Sequence, residues 1–216
     1  MRLLTVCVGQ PREVEWDGDT VRTSIWKEPV DGPVRVGRLN LDGDRQSDLT
    51  VHGGAEKAVY GYPDEHYEFW RAELGDATLA HGAFGENLTT SGLDESSLRI
   101  GDRLEIGTAE FRVTQPRMPC FKLGIRHGRP GILRTFLASG RSGFYLSVLT
   151  EGVITAGDAI QHRPLPESSL NVSDIVRLYT GESHDQEMLR RAVELPHLAA
   201  VWREVFRKRL ANGPSR

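Results

Sequence analysis

Short runs of alternating apolar and polar residues dominate the first 160 residues of this 216-residue chain. Residues 34–41 alternate with the two-residue period of a half-buried strand. Residues 103–106 and 109–113 flank Gly107 and Thr108, a spacing typical of a β-hairpin. Further strand patterns cover residues 3–8, 20–26, 143–149 and 159–162. Because 23 glycines and 11 prolines punctuate such short runs, the pattern predicts a mainly β protein, arranged as a closed or nearly closed barrel.

Helical patterns are sparse before residue 163 and continuous after it. Residues 63–74 begin with proline and acidic residues, as helix starts do, and residues 130–138 form a shorter candidate. A proline-rich linker covers residues 163–169. We therefore expect a β-barrel domain over residues 1–163 and a C-terminal three-helix domain over residues 164–216. The three tail helices are predicted over residues 173–179, 185–194 and 198–210.

The composition is that of an ordinary globular protein, with 38% hydrophobic residues, 26% charged residues and a net charge of −3. This charge argues against nucleic-acid binding through overall positive charge. No apolar stretch reaches the length of a membrane span or of a signal peptide. We therefore expect a cytoplasmic protein without stable nucleic-acid or membrane binding, in which Cys7 and Cys120 stay reduced. Two cysteines are too few for an iron–sulfur cluster, so any redox function needs electrons from elsewhere.

Cys120 has the most informative surroundings of the candidate site residues. It lies in the segment 115–123, where two prolines prevent a regular strand or helix from running on. The neighbouring cations Arg117 and Lys122 favour the thiolate, which is the form that binds soft metals. The alternative is a small apolar side chain in the core, because free cysteines are commonly buried.

A glycine pair precedes a lysine in the segment 51–60. Gly53 and Gly54 allow close approach of the backbone to a ligand, and consecutive N–H groups in such a turn can bind an anion. Lys57 adds a positive charge three residues later. The segment lacks the spacing of the known nucleotide-binding loops. The alternative is a tight turn with a solvated lysine.

Two further groups surround these segments. Asn87, in the glycine-containing segment 82–88, offers a donor and an acceptor that suit the amide-like edge of a heterocycle. Its alternative role is to bind its own backbone in a turn. Basic residues including His127 follow Cys120 and suit an anionic ligand, or else form a solvated face. The histidines do not fall at zinc-site spacings relative to the two cysteines.

Segments 51–60, 82–88 and 119–122 occur in this order, and together they resemble the motifs of the MOSC family, which is named for the C-terminal domain of molybdenum cofactor sulfurase. The resemblance extends over roughly residues 1–210. It is strongest to small stand-alone bacterial members that carry a three-helix C-terminal domain and resemble hydroxylaminopurine-resistance reductases. No pyridoxal-phosphate domain and no cysteine-rich ferredoxin-like extension accompany the motifs, so the full sulfurase reaction is not expected of this chain.

The resemblance implies a MOSC-type β-barrel that binds the molybdenum cofactor (molybdopterin), with the Cys120 thiolate on the metal. It implies Lys57, Asn87, Arg117 and Lys122 as candidates for the pterin and its phosphate, beside the Gly53–Gly54 turn. It also implies reduction of N-hydroxylated compounds such as N-hydroxylated purines, with electrons from a separate donor protein. His52 or His127 is then a candidate acid for the leaving nitrogen.

Two alternatives stay open from the sequence. The chain could carry the cofactor, or a persulfide on Cys120, without turnover. The tail, with Trp202 and Phe206 among basic residues, could contact a donor protein or a second copy of the chain in a homodimer. It could equally be a helical bundle that only packs on the barrel.

Overall fold

The computed structural model describes residues 1–47, 53–166 and 169–212. Within these ranges, one eight-stranded sheet has the order β12-β8-β9-β10-β6-β7-β1-β4, and β5 with β11 and β2 with β3 form two separate pairs. The strands are β1 (Arg2–Val8), β2 (Arg12–Trp16), β3 (Asp19–Thr23), β4 (Glu28–Pro29), β5 (Val34–Val36), β6 (Val59–Pro63), β7 (Leu88–Ser91), β8 (Arg103–Ile106), β9 (Ala109–Pro116), β10 (Phe144–Thr150), β11 (Gly152–Ile154) and β12 (Ile160–Arg163).

The α-helices of the described ranges lie mostly between the central strands and in the tail. They are α1 (Tyr67–Leu74), α2 (Phe121–His127), α3 (Ile132–Ala138), α4 (Val172–Thr180), α5 (Gln186–Glu194) and α6 (Ala200–Asn212). Short 3-10 helices cover Ala55–Lys57 and Asp64–His66. None of the described helices combines the length and the apolar character that crossing a bilayer requires.

The sheet is not closed into a barrel, which corrects the expectation of a fully closed one. The two ends of the strand order, β12 and β4, do not pair with each other. A few main-chain bonds still join β1 to the chain before β12, since the Leu3 N–H donates to the Asp158 carbonyl over 2.9 Å. β4 is only two residues long, so this sheet edge offers few unpaired groups.

Local patterns predicted most of the described elements correctly. The hairpin around Gly107 is confirmed as β8 and β9, which are antiparallel neighbours. The strand expected over residues 34–41 stops at Val36, because the Gly37 N–H turns back to the Asn40 carbonyl over 2.9 Å. The strand β9 runs three residues beyond the expected range 109–113, to Pro116, before the chain becomes irregular.

Three neighbouring strands place the first site residues side by side. In the antiparallel registers, Tyr145 of β10 pairs with Tyr60 of β6 on one side and with Gln115 of β9 on the other. The rings of Tyr60 and Tyr145 lie 5.2 Å apart between centroids. Because paired residues project from the same face of a sheet, these three side chains form one row.

The tail helices pack on the sheet rather than standing apart from it. One hydrophobic core contains sheet residues such as Leu104 and Phe111 together with tail residues such as Ile175, Leu198 and Phe206. A second, largely aromatic core is formed around Trp70 and its neighbours by α1 to α3. The division at residue 163 remains a prediction, although the change from strands to helices occurs there.

Candidate functional site

Cys120 lies at the junction of β9 and α2, as the last of four irregular residues, 117–120, through which the chain leaves the sheet. Its backbone is extended, with φ −121° and ψ 170°, and its side chain is half-buried. Two cavities meet at this thiol. We call inner cavity the space of about 90 Å³ between Arg117, Cys120 and Lys122 on one side and Lys27, Asp44 and Asn87 on the other. We call apolar groove the space of about 400 Å³ between Pro119, Cys120 and Tyr145 on one side and Val201, Trp202 and Val205 on the other.

Arg117 is the most buried cation of the inner cavity, with 6% of its surface exposed. Its guanidinium lies over the rings of Tyr60 and Phe136, at 5.1 and 5.4 Å from their centroids. Its Nη1 is buried and makes no hydrogen bond to any described residue. Burial alone would lower the pKa of Arg117, but the neighbouring Tyr60, Tyr145 and Cys120 raise it overall. A buried charged donor without a partner is costly, so this atom points to a ligand.

Positive charge predominates throughout the inner cavity. Lys122 is 9% exposed and, within the described ranges, no ion pair joins it to a carboxylate. Lys57 is half-buried, and burial lowers its pKa. The described lining holds five Lys or Arg side chains against a single carboxylate, that of Asp44. Such a cavity favours an anionic ligand.

The side chain of Asn87 is hydrogen-bonded to other residues of the protein. Its Oδ1 accepts from the Tyr60 N–H over 3.1 Å, and its amide nitrogen donates to the Cys7 carbonyl over 3.2 Å and to Asp44 Oδ2 over 3.0 Å. Both amide hydrogens are therefore used. Asn87 lines the inner cavity as expected, but its side chain joins strands instead of bonding its own backbone or offering donors to a cofactor.

Asp44 and Lys27 are site residues that the sequence did not reveal. The Lys27 ammonium donates to Asp44 Oδ1, both side chains are buried, and the Gly9 N–H donates to the same oxygen over 2.8 Å. The two residues lie 17 positions apart, on segments that carry no recognisable motif. Asp44 also accepts from the Asn87 amide over 3.0 Å, so the pair is connected to the cavity by contacts between distant segments, and no local signal marks it.

The glycine pair does not form the expected anion cradle. Gly54 has φ +95°, a conformation that glycine adopts without strain, and its N–H donates to Gln46 Oε1 over 3.3 Å. Neither Gly53 nor Gly54 belongs to the described lining of either cavity, whereas Lys57 borders both. The turn alternative fits Gly54 better. His52 lies outside the described residues.

His127 is also separated from Cys120, although it lies only seven residues further along the chain. Its Nε2 lies 3.0 Å from the Ala83 carbonyl oxygen, and it lines neither cavity. Burial lowers the pKa of His127 to about 4, against the effect of that hydrogen bond, so the ring is neutral at pH 7. The position and the protonation state both argue against the expected acid role.

Tyr145 is the tyrosine that borders both cavities together with Cys120 and Lys57. Burial raises the pKa of Tyr145, while the charge of Arg117 opposes that shift. Tyr60, by contrast, donates its hydroxyl to the Ser142 carbonyl over 2.8 Å. Strand pairing could have indicated Tyr145, but only once its register with Gln115 was known.

The described residues do not by themselves form a metal site at Cys120. Among the described residues, no group of three or more His, Cys, Asp or Glu side chains could hold a metal ion. One soft thiol beside buried cations is a donor set for a metal that arrives with its own organic, anionic ligand.

Comparison with known proteins identifies the family of the chain. The MOSC domain family matches residues 48–161, and the YiiM-like 3-alpha helix domain family matches residues 172–213. Protein YiiM of Escherichia coli is 33% identical over 88% of this chain and 86% of its own length. A Gibberella moniliformis protein named Reductase is 33% identical over 98% of this chain, which spans 38% of that longer protein.

A solved structure has the same fold over nearly the whole chain. The crystal structure of YiiM from Geobacillus stearothermophilus superimposes with a TM-score of 0.80, at 34% identity, over 97% of this chain and 98% of that one. The matched family covers the segment that holds Lys57, Asn87, Arg117 and Cys120. The chain therefore belongs to the MOSC domain family and carries the YiiM-like three-helix domain at its C-terminal end.

Proposed function

We propose that this protein is a molybdenum-cofactor-dependent reductase of N-hydroxylated compounds, including N-hydroxylated purines. MOSC domains are associated in general with molybdenum cofactor binding, and one relative is named a reductase. The observation that carries the proposal is the unpartnered, buried Arg117 Nη1 in the same cavity wall as the half-exposed Cys120 thiol. A soft metal ligand and an anion-binding donor thus face one space.

The residues of the inner cavity suit the two ends of such a cofactor. Cys120 would hold the metal, because thiolate is a ligand for soft metals. Arg117 and Lys122, both buried, and Lys57, half-buried, would bind its phosphate and the polar edge of its pterin. The ion pair of Lys27 with Asp44 leaves the cavity positively charged while fixing the strand ends around it.

The reduction converts an N–OH group into N–H and water, which takes two electrons and two protons. The cofactor would supply the two electrons when bound, and a separate donor protein would replace them. We assign the delivery of one proton to the Tyr145 hydroxyl, since Tyr145 borders both cavities beside Cys120. The second proton, and the one that restores the hydroxyl, would come from solvent. Burial raises the pKa of Tyr145, and the nearby Arg117 guanidinium, which opposes that shift, would stabilise the phenolate left behind.

Expression in a host that makes the cofactor, followed by metal analysis and an assay, tests this proposal. We expect stoichiometric molybdenum and conversion of 6-hydroxylaminopurine to adenine with reduced viologen as the donor. Cys120→Ser should abolish turnover, whereas the control Cys7→Ala, at a buried thiol outside both cavities, should retain it. Metal-free wild-type protein, or full activity of Cys120→Ser, would refute the proposal.

A sulfur or cofactor carrier is the second candidate, because the half-exposed Cys120 thiol is reachable from the apolar groove. A persulfide on this thiol would add a labile 32-dalton mass to the chain, which intact-mass spectrometry before and after reduction would detect. The adduct without any reductase activity would favour the carrier, and activity without the adduct would favour the reductase.

A further inference from the structure

The apolar groove has one wall from the sheet domain and one from the three-helix tail. Cys120, Pro119 and Tyr145 form the first wall, and Val201 and Val205 of α6 belong to the second. Its volume of about 400 Å³ lies in the range of small-molecule sites. Because Cys120 also borders the inner cavity, a molecule in the groove lies beside the same thiol as an occupant of the inner cavity.

Residues of α6 divide between the core and the groove. Trp202 and Phe206 are buried in the core, whereas Val205 is only partly buried and Val201 is 58% exposed. The apolar surface of this helix is therefore wider than its packing in the core requires. Both valines line the groove, so the surplus apolar surface covers the space in front of Cys120.

The aromatic part of this wall is held rigidly. The Trp202 indole N–H donates to Gln115 Oε1 over 2.8 Å, which joins α6 to β9. Tyr179 packs edge-on against Trp202 with ring centroids 5.1 Å apart, and Arg209 donates to the Tyr179 carbonyl over 2.6 Å. Because the indole N–H is already used, Trp202 presents carbon surface to the groove, as Val201 and Val205 do.

The polar groups of the groove lining outside the tail include the Lys57 ammonium and the Cys120 thiol. An occupant that complements both kinds of surface has a flat apolar body and one polar substituent directed at the thiol. A planar heteroaromatic ring with an N-hydroxyl group has this shape. A small N-hydroxyl compound would reach the thiol without touching the tail.

We propose that the three-helix tail forms the substrate-selecting wall, and that Val201, Val205 and Trp202 bind the planar ring of an aromatic N-hydroxylated substrate in the apolar groove. This inference rests on the proposed reductase function, which it extends by assigning the ring of the substrate to a site. It gives the tail a role in specificity in addition to packing.

Filling the groove tests the inference. In the holoenzyme, Val205→Trp should raise KM for 6-hydroxylaminopurine roughly tenfold or more, since pocket contacts of this size govern discrimination. KM for hydroxylamine, and kcat for hydroxylamine and for 6-hydroxylaminopurine, should each change less than about twofold. The reason is that the added ring fills only the part of the groove next to α6 and leaves the thiol accessible. The matched control is Lys208→Trp, the same change at an exposed position of α6 outside the groove. Val201→Trp, at the more exposed valine, provides a second variant if Val205→Trp folds poorly.

Binding of adenine, measured by a saturation-transfer NMR titration of the holoenzyme, separates this inference from the proposed function. Adenine binding that is lost in Val205→Trp but kept in Lys208→Trp supports the groove even if no N-hydroxyl compound is reduced, a result that would remove only the reductase function. Adenine binding that is the same in both variants, or an equal rise of KM for hydroxylamine, would overturn the inference.

Discussion

Replacing Asn87 with alanine tests whether this residue is a structural bridge or a cofactor ligand. The change removes an acceptor from the Tyr60 N–H, a donor to the Cys7 carbonyl and a donor to the buried carboxylate of Asp44. A neutral hydrogen bond contributes about 1 kcal/mol, and one to a charged group about 1.5–3 kcal/mol. We therefore expect the free energy of unfolding to fall by about 3–5 kcal/mol, a large part of the stability of a typical domain.

Urea denaturation of the cofactor-free chain, followed by circular dichroism, measures this loss without any contribution from bound cofactor. The matched control is Asn40→Ala, which removes one 3.3 Å bond to the Asp44 carbonyl from a half-buried site. The control should cost about 1 kcal/mol or less. If Asn87→Ala unfolds like the wild type but loses molybdenum on expression with cofactor, the structural interpretation is wrong and Asn87 is a ligand.

Three further predictions concern single positions. Gly143→Ala should lower the free energy of unfolding, measured in urea, by about 1–3 kcal/mol more than Gly128→Ala does. Both glycines have φ near +60°, so the backbone strain is the same, but only at Gly143 would the new Cβ lie 2.6 Å from a carbonyl oxygen of β6. The pKa of His127 is about 6.5 in the unfolded chain and about 4 in the folded chain, so the free energy of unfolding should decrease as the pH is lowered from 6.5 to 4. His127→Gln should make this pH dependence weaker. Asp44→Asn should cost about 3–5 kcal/mol in urea, because it leaves the buried Lys27 ammonium without its anion.

Elements that depend on neighbours in the chain could be predicted, whereas contacts between distant segments could not. The hairpin around Gly107 and the tail helices follow from local periodicity and turn residues. The start of α5 is also explained locally, because the Asp185 carboxylate accepts the first N–H groups of the helix, those of Glu187 and Met188.

The candidate site depends partly on contacts between residues that are distant in sequence. Cys120, Arg117 and Lys122 are adjacent in sequence, and their shared cavity follows from one irregular loop. Trp202, in contrast, reaches Gln115 across 87 positions, and its role in a groove wall requires knowing how the tail packs on the sheet.

His127 illustrates the opposite error. Proximity in sequence suggested a role near the thiol, but α2 turns its ring towards Ala83. A helix of seven residues makes about two turns, so its last residue can face away from the segment that precedes its first.

X-ray absorption at the molybdenum edge tests the central claim most directly, namely that Cys120 binds the metal of the cofactor. We predict that the wild-type holoenzyme shows one more sulfur ligand per molybdenum than Cys120→Ser prepared in the same way. Cys7→Ala should match the wild type, because Cys7 is buried outside both cavities. An identical sulfur count in Cys120→Ser and the wild type would contradict the account.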